Sequence, residues 1–201
     1  MSEIKWPPQL LRVLRSHLQQ IDDPQDPRTI PLATKSPDRS VLTFLTGVHD
    51  AAMQLSGVSE PVATCCRNLL LEMIEQCCAL LFLSSKERRI INLAASQREK
   101  RLGVGRGGVK RRRSGEQDSA SEEAAAGESG GAPCKCAAVL PLEYLLRLFV
   151  ALPSLLVHYD KLGGSAMPPA FKQPLWDYVN ALLDIMKDMH FIDESEYVPL
   201  R

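Results

Sequence analysis

The sequence predicts an all-α protein, a helical bundle of about five main helices with at most a short β-hairpin. Apolar residues recur at spacings of three and four over long stretches, strand-like alternation is almost absent, and prolines or glycines flank several of the periodic stretches. A chain of 201 residues suits one domain. Its hydrophobic content of 45% is typical of a globular protein.

The first predicted helix covers residues 8–21 and starts at a proline, which is tolerated at a first helical position. Its apolar face consists of four residues at helical spacing: Leu10, Leu14, Leu18 and Ile21. Residues 22–27 contain two prolines and three acids, which end the helix. Residues 28–32 then form at most a short edge strand or hairpin arm.

Two further helices are predicted before residue 96. The second opens at residues 36–38 and ends near Gly57, a residue type favoured after helix ends. Its apolar stripe is Val41, Phe44, Leu45, Val48, Ala52 and Leu55. The third begins at residues 59–61, and its wide apolar face contains Val62, Cys66, Leu69, Leu70, Met73, Ile74, Cys77, Leu80 and Leu81. A shorter amphipathic piece covers residues 87–95.

The composition changes over residues 96–138, where basic residues interleave with glycines and are followed by Ser, Glu, Ala and Gly. No large apolar residue stands between Val109 and Val139. With so little to bury, this segment cannot offset its ordering entropy, so we predict a disordered basic and acidic insertion. It separates an N-terminal half, residues 1–95, from a C-terminal half, residues 139–201.

The C-terminal half contains two more predicted helices. The fourth, at about 140–160, is apolar nearly all round, as expected of a central helix, and Pro153 should kink it. Glu143 and Arg147 are costly in hydrocarbon, so we interpret this stretch as a buried helix and not a membrane span. The fifth, at about 170–190, has a stripe of Phe171, Leu175, Tyr178, Val179, Leu182, Met186 and Met189.

No constellation of residues indicates catalysis or a cofactor, so we expect a non-enzymatic protein without cofactors or metals. The four histidines are scattered, and no nucleotide-binding or hydrolase motif is present. The six cysteines lie at 65–66, 77–78, 134 and 136. Adjacent cysteines in a helix point about 100° apart, which favours core packing over a tetrahedral zinc site. The missing secretory signal and irregular cysteine spacing favour a reducing compartment.

Opposite charges balance over the whole chain, since Lys plus Arg and Asp plus Glu both total 24. No overall field therefore draws it to nucleic acid or to a membrane. A local basic cluster, Lys110, Arg111, Arg112 and Arg113, lies within the predicted insertion. It can be a nuclear import signal, which we favour, a phosphate-binding arm, or a solvated linker. DNA or RNA contact through residues 98–113 would be weak and salt-sensitive.

Residues 144–156, YLLRLFVALPSLL, resemble the central helix of the MRG domain, which contains LLRLFV and, in its male-specific-lethal branch, a following Leu-Pro. Residues 191–197 are similar to the family's Phe…Ser-x-Tyr ending. Three upstream pieces keep the family's order: Ile4-x-Trp6-Pro7, Leu32-Ala33-x-Lys35, and Leu80-Leu81-Phe82 with Glu87-Arg88. The resemblance spans most of residues 4–199. The sequence departs from the family at residues 139–144, before the central helix.

The resemblance implies an MRG-domain-like bundle acting as a nuclear adaptor subunit of histone acetyltransferase or deacetylase complexes. Such a subunit holds scaffold proteins and serves transcription regulation and chromatin remodelling. In that family an apolar groove receives short Phe-x-Leu-Pro-type segments. The matching positions here are Trp6, Leu14, Arg15, Leu18 and Phe82. The chromodomain of many members has no counterpart in this sequence, so we expect no methyl-lysine binding through an aromatic cage.

Two groove positions differ chemically from the family. Arg15 stands in place of a valine, and a guanidinium at the rim favours a peptide with an acid beside its apolar anchor. Leu18 stands in place of a tryptophan and leaves space for a bulkier anchor. Spacing alone does not distinguish a groove role for Leu14 and Leu18 from membership of the core stripe.

A second hypothesis, from another functional class, stays open beside the adaptor. In it the protein binds nucleic acid through its Arg/Gly-rich insertion, and the helical bundle is only a carrier. Neither hypothesis includes a membrane or a small-molecule substrate.

Overall fold

The computed structural model describes residues 4–22, 28–29, 32–33, 37–77, 83–101, 135–161 and 168–199. Within these ranges the protein is all-α, as predicted, with seven α-helices. They are α1 (Pro8–Asp22), α2 (Val41–Gly47), α3 (His49–Ser56), α4 (Glu60–Cys77), α5 (Ser85–Arg101), α6 (Leu142–Lys161) and α7 (Pro169–Met186). Short 3₁₀ turns occur at Pro37–Arg39 and Glu194–Glu196.

The second predicted helix is in fact two helices. The helix was predicted to open at residues 36–38, but Pro37–Arg39 forms a 3₁₀ turn. Helix α2 starts after Ser40, whose Oγ accepts a hydrogen bond from the Thr43 N–H at 3.1 Å. At Val48 the backbone leaves the helical conformation, with φ −100° and ψ 6°, and α3 begins at the next residue. The predicted end at Gly57 is confirmed, because this residue caps α3 at φ 66°, in the left-handed region that favours glycine.

Helix α5 is longer than the predicted helix at residues 87–95. A reciprocal capping pair starts it, in which the Ser84 N–H donates to Glu87 Oε2 at 2.7 Å and the Glu87 N–H donates to Ser84 Oγ at 3.3 Å. The helix continues to Arg101. The boundary placed at residue 96 was therefore wrong, since it falls inside a helix, and residues 102–134 lie outside the described ranges.

The other predicted boundary of the insertion, residue 138, was also misplaced, because residues 136–138 belong to the fold. Ala137 and Ala138 are buried. The backbone N–H groups of Cys136 and Ala137 donate to the Glu75 carboxylate at 3.1 and 2.7 Å. The Leu42 N–H donates to the Ala137 carbonyl at 2.9 Å. This segment is attached to the fold by hydrogen bonds of its backbone and by small buried side chains. A count of large apolar residues detects neither feature.

The strand expected within residues 28–32 is two residues long. Arg28–Thr29 (β1) pairs in antiparallel orientation with Val198–Pro199 (β2). An isolated bridge also joins Ser40 to Pro141. These contacts tie the C-terminal segment to the N-terminal half of the chain, and they are too short to change the fold class.

Helix α6 is the central element. It packs against α1 and α2, while α7 packs against α3 and α4. The largest fully buried side chains of α6 are Leu145, Leu146, Leu148, Phe149 and Leu152. Pro153 lies inside the helix without ending it, and the kink stays a prediction. Over the described ranges, no helix combines the length and apolar character needed to cross a membrane.

The predicted stripe of α7 is largely confirmed. Its five fully buried members are Leu175, Tyr178, Val179, Leu182 and Met186. Phe171 and Met189, at the two ends of the stripe, are half-buried against the same core.

Candidate functional site: a groove along helix α1

A cavity of about 410 Å³ lies along one side of α1. Its described lining is Leu11, Leu14, Arg15, Leu18 and Gln19. Residues three and four apart are neighbours on a helix surface, so this spacing forms one continuous face. Leu14 is 7% exposed, whereas Leu11 and Leu18 are 40% and 36% exposed. The cavity is therefore an open apolar groove with a buried floor, bordered by one guanidinium and one carboxamide. We call it the α1 groove.

Three of the five residues that the family resemblance indicated lie together in the α1 groove, namely Leu14, Arg15 and Leu18. Trp6 does not line it and is half-buried against the core. Phe82 lies outside the described residues.

Sequence reasoning missed Leu11 and Gln19, which also line the groove. Helical spacing could have identified them, because Leu11 stands three residues before Leu14 and Gln19 stands four after Arg15.

The core face of α1 differs from the predicted stripe at one position. Leu10 and Leu14 are buried as predicted, but the next buried residue is His17, which is 1% exposed, and not Leu18. Helical geometry places adjacent residues about 100° apart, so burial of His17 turns Leu18 outward. The core-stripe alternative therefore holds for Leu14 and fails for Leu18. Helix α1 has two apolar faces, one in the core and one in the groove.

His17 anchors the core face of α1 through aromatic partners. Its Nδ1 lies 3.2 Å from the Tyr197 hydroxyl, and its ring stands edge-on to Tyr144 with the centroids 5.3 Å apart. Burial, followed by the positive charge of Arg147, lowers the pKa of His17 to about 3. The imidazole is therefore neutral at physiological pH, and its contacts are those of a structural anchor and not of an acid–base catalyst.

Glu87 extends this anchor to α5. Its Oε1 accepts hydrogen bonds from the Tyr144 hydroxyl and from Arg147 Nη1, both at 2.7 Å. The ion pair is shielded, because the side chains of Glu87 and Arg147 are 7% and 13% exposed. The Arg147 guanidinium also lies 5.1 Å from the centroid of the Tyr144 ring. A buried polar network thus joins α5 and α6 to the core face of α1.

The C-terminal segment packs onto the same region. Glu143, which is 1% exposed, accepts a hydrogen bond from the Ile192 N–H at 2.8 Å. Burial raises the pKa of this carboxyl, and the Ile192 N–H acts in the opposite direction. At the surface, Arg39 lies 3.2 Å from Glu196. The Asp193 N–H, followed by Arg39, lowers the pKa of Glu196.

Two of the three described cysteines, Cys66 and Cys136, have the environment of packing residues, whereas Cys65 does not. Cys66 is buried and its neighbour Cys65 is exposed, as expected of adjacent helical positions. Burial raises the pKa of Cys66 to about 12 and that of Cys136 to about 11. Both thiols are therefore protonated and weakly nucleophilic at neutral pH. The side chains of the other three predicted positions, Cys77, Cys78 and Cys134, lie outside the described set.

Metal ligands do not cluster in the part of the chain that the structure describes, where no group of three or more His, Cys, Asp or Glu side chains could hold an ion. His49 is buried, with its Nδ1 3.0 Å from the Tyr178 hydroxyl. The basic cluster Lys110–Arg113 lies outside the described residues. Its import and nucleic-acid hypotheses stay predictions.

Comparison with known proteins finds no family model that matches the chain and no curated protein that matches it. The MRG resemblance accordingly rests on the residues quoted above, and the geometry of the α1 groove is independent of it.

Proposed function

We propose that this protein is a non-enzymatic adaptor that binds a short apolar segment of a partner protein in the α1 groove. The proposal is carried by the two apolar faces of α1. Leu10 and Leu14 complete the core, whereas Leu11 and Leu18 remain substantially exposed beside a cavity of about 410 Å³. The protein's own stability does not require this second face, and apolar surface bordering a groove is typical of peptide-binding sites.

The core face of α1 is held in place by a buried polar network, and this favours binding in the groove. The network of His17, Tyr144 and Glu87 holds the core face of α1 against α5 and α6. A surface that is fixed before the partner arrives loses less conformational entropy when the complex forms. The exposed leucines therefore act as preorganised contacts for an apolar anchor.

The positive charge of α1 favours a partner segment that contains an acidic residue. Helix α1 carries Arg12 and Arg15 and has no acidic residue before Asp22. Arg15 lines the groove and is exposed. A guanidinium forms strong charge-assisted hydrogen bonds with carboxylates, so the preferred segment has an acidic residue beside its apolar anchor.

The complexes to which we assign this adaptor are histone acetyltransferase or deacetylase assemblies in the nucleus, with a role in transcription regulation and chromatin remodelling. The support is the MRG resemblance, whose most specific residues, 144–156, form most of the central helix α6. The location in the groove of Leu14, Arg15 and Leu18, three positions selected through that resemblance, adds to it.

The experiment compares two leucine-to-aspartate variants. Leu18→Asp places a charge in the groove, whereas Leu93→Asp makes the same change at a leucine of α5 that is 60% exposed and does not line the groove. Proteins captured from nuclear extract by each variant are quantified by mass spectrometry. A captured segment is then synthesised, and its affinity for each purified variant is measured by calorimetry.

We expect Leu18→Asp to weaken peptide binding by about a hundredfold, as for loss of a central apolar contact, and Leu93→Asp to leave it unchanged. Equal binding by wild type and a folded Leu18→Asp variant would show that the partner surface lies elsewhere. If the captured proteins belong to no chromatin complex, the assignment to those assemblies is refuted, whereas the proposal that the groove binds a peptide is not affected.

A further inference from the structure

A second cavity, of about 190 Å³, lies beside the C-terminal turns of α5. Three buried alanines contribute to its lining, Ala33, Ala94 and Ala138. Its described polar lining comes from one side of α5, from Gln97, Arg98 and Arg101. No acidic residue is among the described residues that line it. The cavity therefore joins an apolar wall to two guanidinium groups.

The two arginines have no anionic partner within the described ranges. Glu99, in the same helical turn, pairs with Lys135 at 2.7 Å. Neither Arg98 nor Arg101 makes an ion pair with a described carboxylate. Arg98 is also half-buried, so part of its hydration is already lost. Among the described residues, the cavity therefore has two positive charges that no carboxylate neutralises.

The shape of this cavity is set by the fold. The Ala33 N–H donates to the Val139 carbonyl at 2.9 Å and connects two of the lining segments. Ala33, Ala94 and Ala138 are each at most 7% exposed, so they belong to the packed interior. Arg98 and Arg101 are three residues apart on α5 and face the same side. A ligand therefore meets a preformed wall and two adjacent guanidinium groups.

We propose that this cavity binds a phosphate monoester, presented as a phosphorylated side chain of a partner protein. A guanidinium offers paired N–H donors that match phosphate oxygens, and two of them balance a dianion. Pockets for whole small molecules usually measure about 300–1,000 Å³, so 190 Å³ suits one charged group better than a nucleotide. A terminal phosphate enters such a cavity more readily than a phosphodiester, which continues on both sides. The site is separate from the α1 groove and independent of the proposed adaptor function.

The competing explanation is that the arginines only complement the partial negative charge at the C-terminal end of α5. Lys100 provides a matched control, because it stands in the same last turn and is exposed. It does not line the cavity. Removing its charge perturbs the helix end as much as removing one arginine charge, without changing the proposed site.

The test measures fluorescence anisotropy of a labelled peptide in which phosphoserine is flanked by two glycines on each side. Peptides with serine or glutamate at the centre serve as references. With the full chain, we expect the phosphorylated peptide to bind about tenfold tighter than either reference. Arg98→Gln combined with Arg101→Gln should remove that preference, and Lys100→Gln should retain it. Ala94→Leu keeps every charge but fills the cavity, and it should weaken binding about fivefold or more.

Three results would each overturn the proposal. They are equal binding of the phosphorylated and reference peptides, an effect of Lys100→Gln as large as that of the double arginine variant, and full binding by Ala94→Leu. Displacement of the probe by short duplex DNA at an equal concentration of phosphate would assign the arginines to nucleic acid and refute the phosphorylated side chain. Circular dichroism checks folding. If the arginine variant is unfolded, a folded Ala94→Leu variant decides the question.

Discussion

Helices α1 and α6 pack against each other, yet they differ in what covers their apolar residues. In α6 the leucines are buried or half-buried and Phe149 is fully buried, although two valines, Val150 and Val157, are 53% and 52% exposed. In α1, Leu11 and Leu18 are 40% and 36% exposed. Core packing accounts for every buried leucine of α6, whereas it leaves Leu11 and Leu18 of α1 partly exposed beside the groove. The same residue type thus fills the core in α6 and, under the proposed function, contacts a partner in α1.

The largest loss of stability is expected from the network that joins these helices. Glu87→Gln removes the charge that faces the buried Arg147, with a contact distance of 2.7 Å. Breaking one partner of a buried pair typically costs about 3–5 kcal/mol. Urea denaturation measures the change in unfolding free energy. The double variant Glu87→Gln/Arg147→Met should lose less unfolding free energy than the sum of the losses of the two single variants. Strict additivity would show that the pair is uncoupled.

Truncation within α6 is expected to have the next largest effect. Leu148→Ala or Phe149→Ala should lower the unfolding free energy by about 2–5 kcal/mol, since each removes a fully buried side chain. Leu18→Ala in α1 is the contrasting change and should cost less than about 1 kcal/mol. The comparison between the two helices fails if the α6 variants lose less than about 1 kcal/mol, or if Leu18→Ala loses as much as they do.

Acid is expected to weaken the attachment of α1 through His17. The folded-state pKa of about 3 lies below the ordinary histidine pKa of 6.5, so the unfolded chain binds the proton first. Stability is therefore fully present above about pH 6.5 and declines as the pH falls toward 3, by at most about 1.4 kcal/mol per pH unit. Thermal and urea unfolding of wild type and His17→Gln at pH 4 to 7 would measure it.

The His17→Gln reference separates this effect from that of Glu143. Burial raises the pKa of Glu143, so its ionisation favours the unfolded state and its contribution to stability increases as the pH falls. The difference between wild type and His17→Gln cancels the Glu143 contribution. Parallel pH profiles for the two proteins would mean that His17 does not titrate differently on unfolding.

Much of α6 and α7 could be predicted from sequence because their apolar residues are so dense that the helical period is unmistakable. The face of α1 was harder. Periodicity considers only apolar residues, and it therefore placed Leu18 in the core stripe. The residue that is buried instead, His17, contacts Tyr144 and Tyr197, which are distant in the chain. The division between α2 and α3 was hidden because Val48 continues the apolar pattern while its backbone leaves the helix.

The limits of the predicted insertion were misplaced for a related reason. The backbone of Ala137 accepts a hydrogen bond from the Leu42 N–H and donates one to the Glu75 carboxylate, and such bonds cannot be read from composition. The cavity at Arg98 could not be foreseen either, because Ala33 and Ala138 reach it from separate parts of the chain. The α1 groove was partly predictable, through the resemblance that selected Leu14, Arg15 and Leu18.

The smallest effect is expected from the part of the sequence with the fewest large apolar residues. Replacing residues 102–134 by a short Gly/Ser linker should change the melting temperature by only a few degrees, since long surface loops cost little extra closure entropy. Extending the replacement to residues 96–137 should cost more, because it removes the last turns of α5 and the buried Ala137. Scanning calorimetry compares the two. Equal melting temperatures would contradict the corrected boundaries.

The most direct test of the central claim maps the partner segment onto the protein by NMR of labelled leucine methyl groups. A peptide recovered through the adaptor experiment is titrated into the full chain. We expect shifts of the Leu11, Leu14 and Leu18 methyl signals, whereas the signals of Leu93, an exposed leucine outside the groove, should not change. Shifts centred on Leu93 or elsewhere, with the three α1 leucines unaffected, would contradict it.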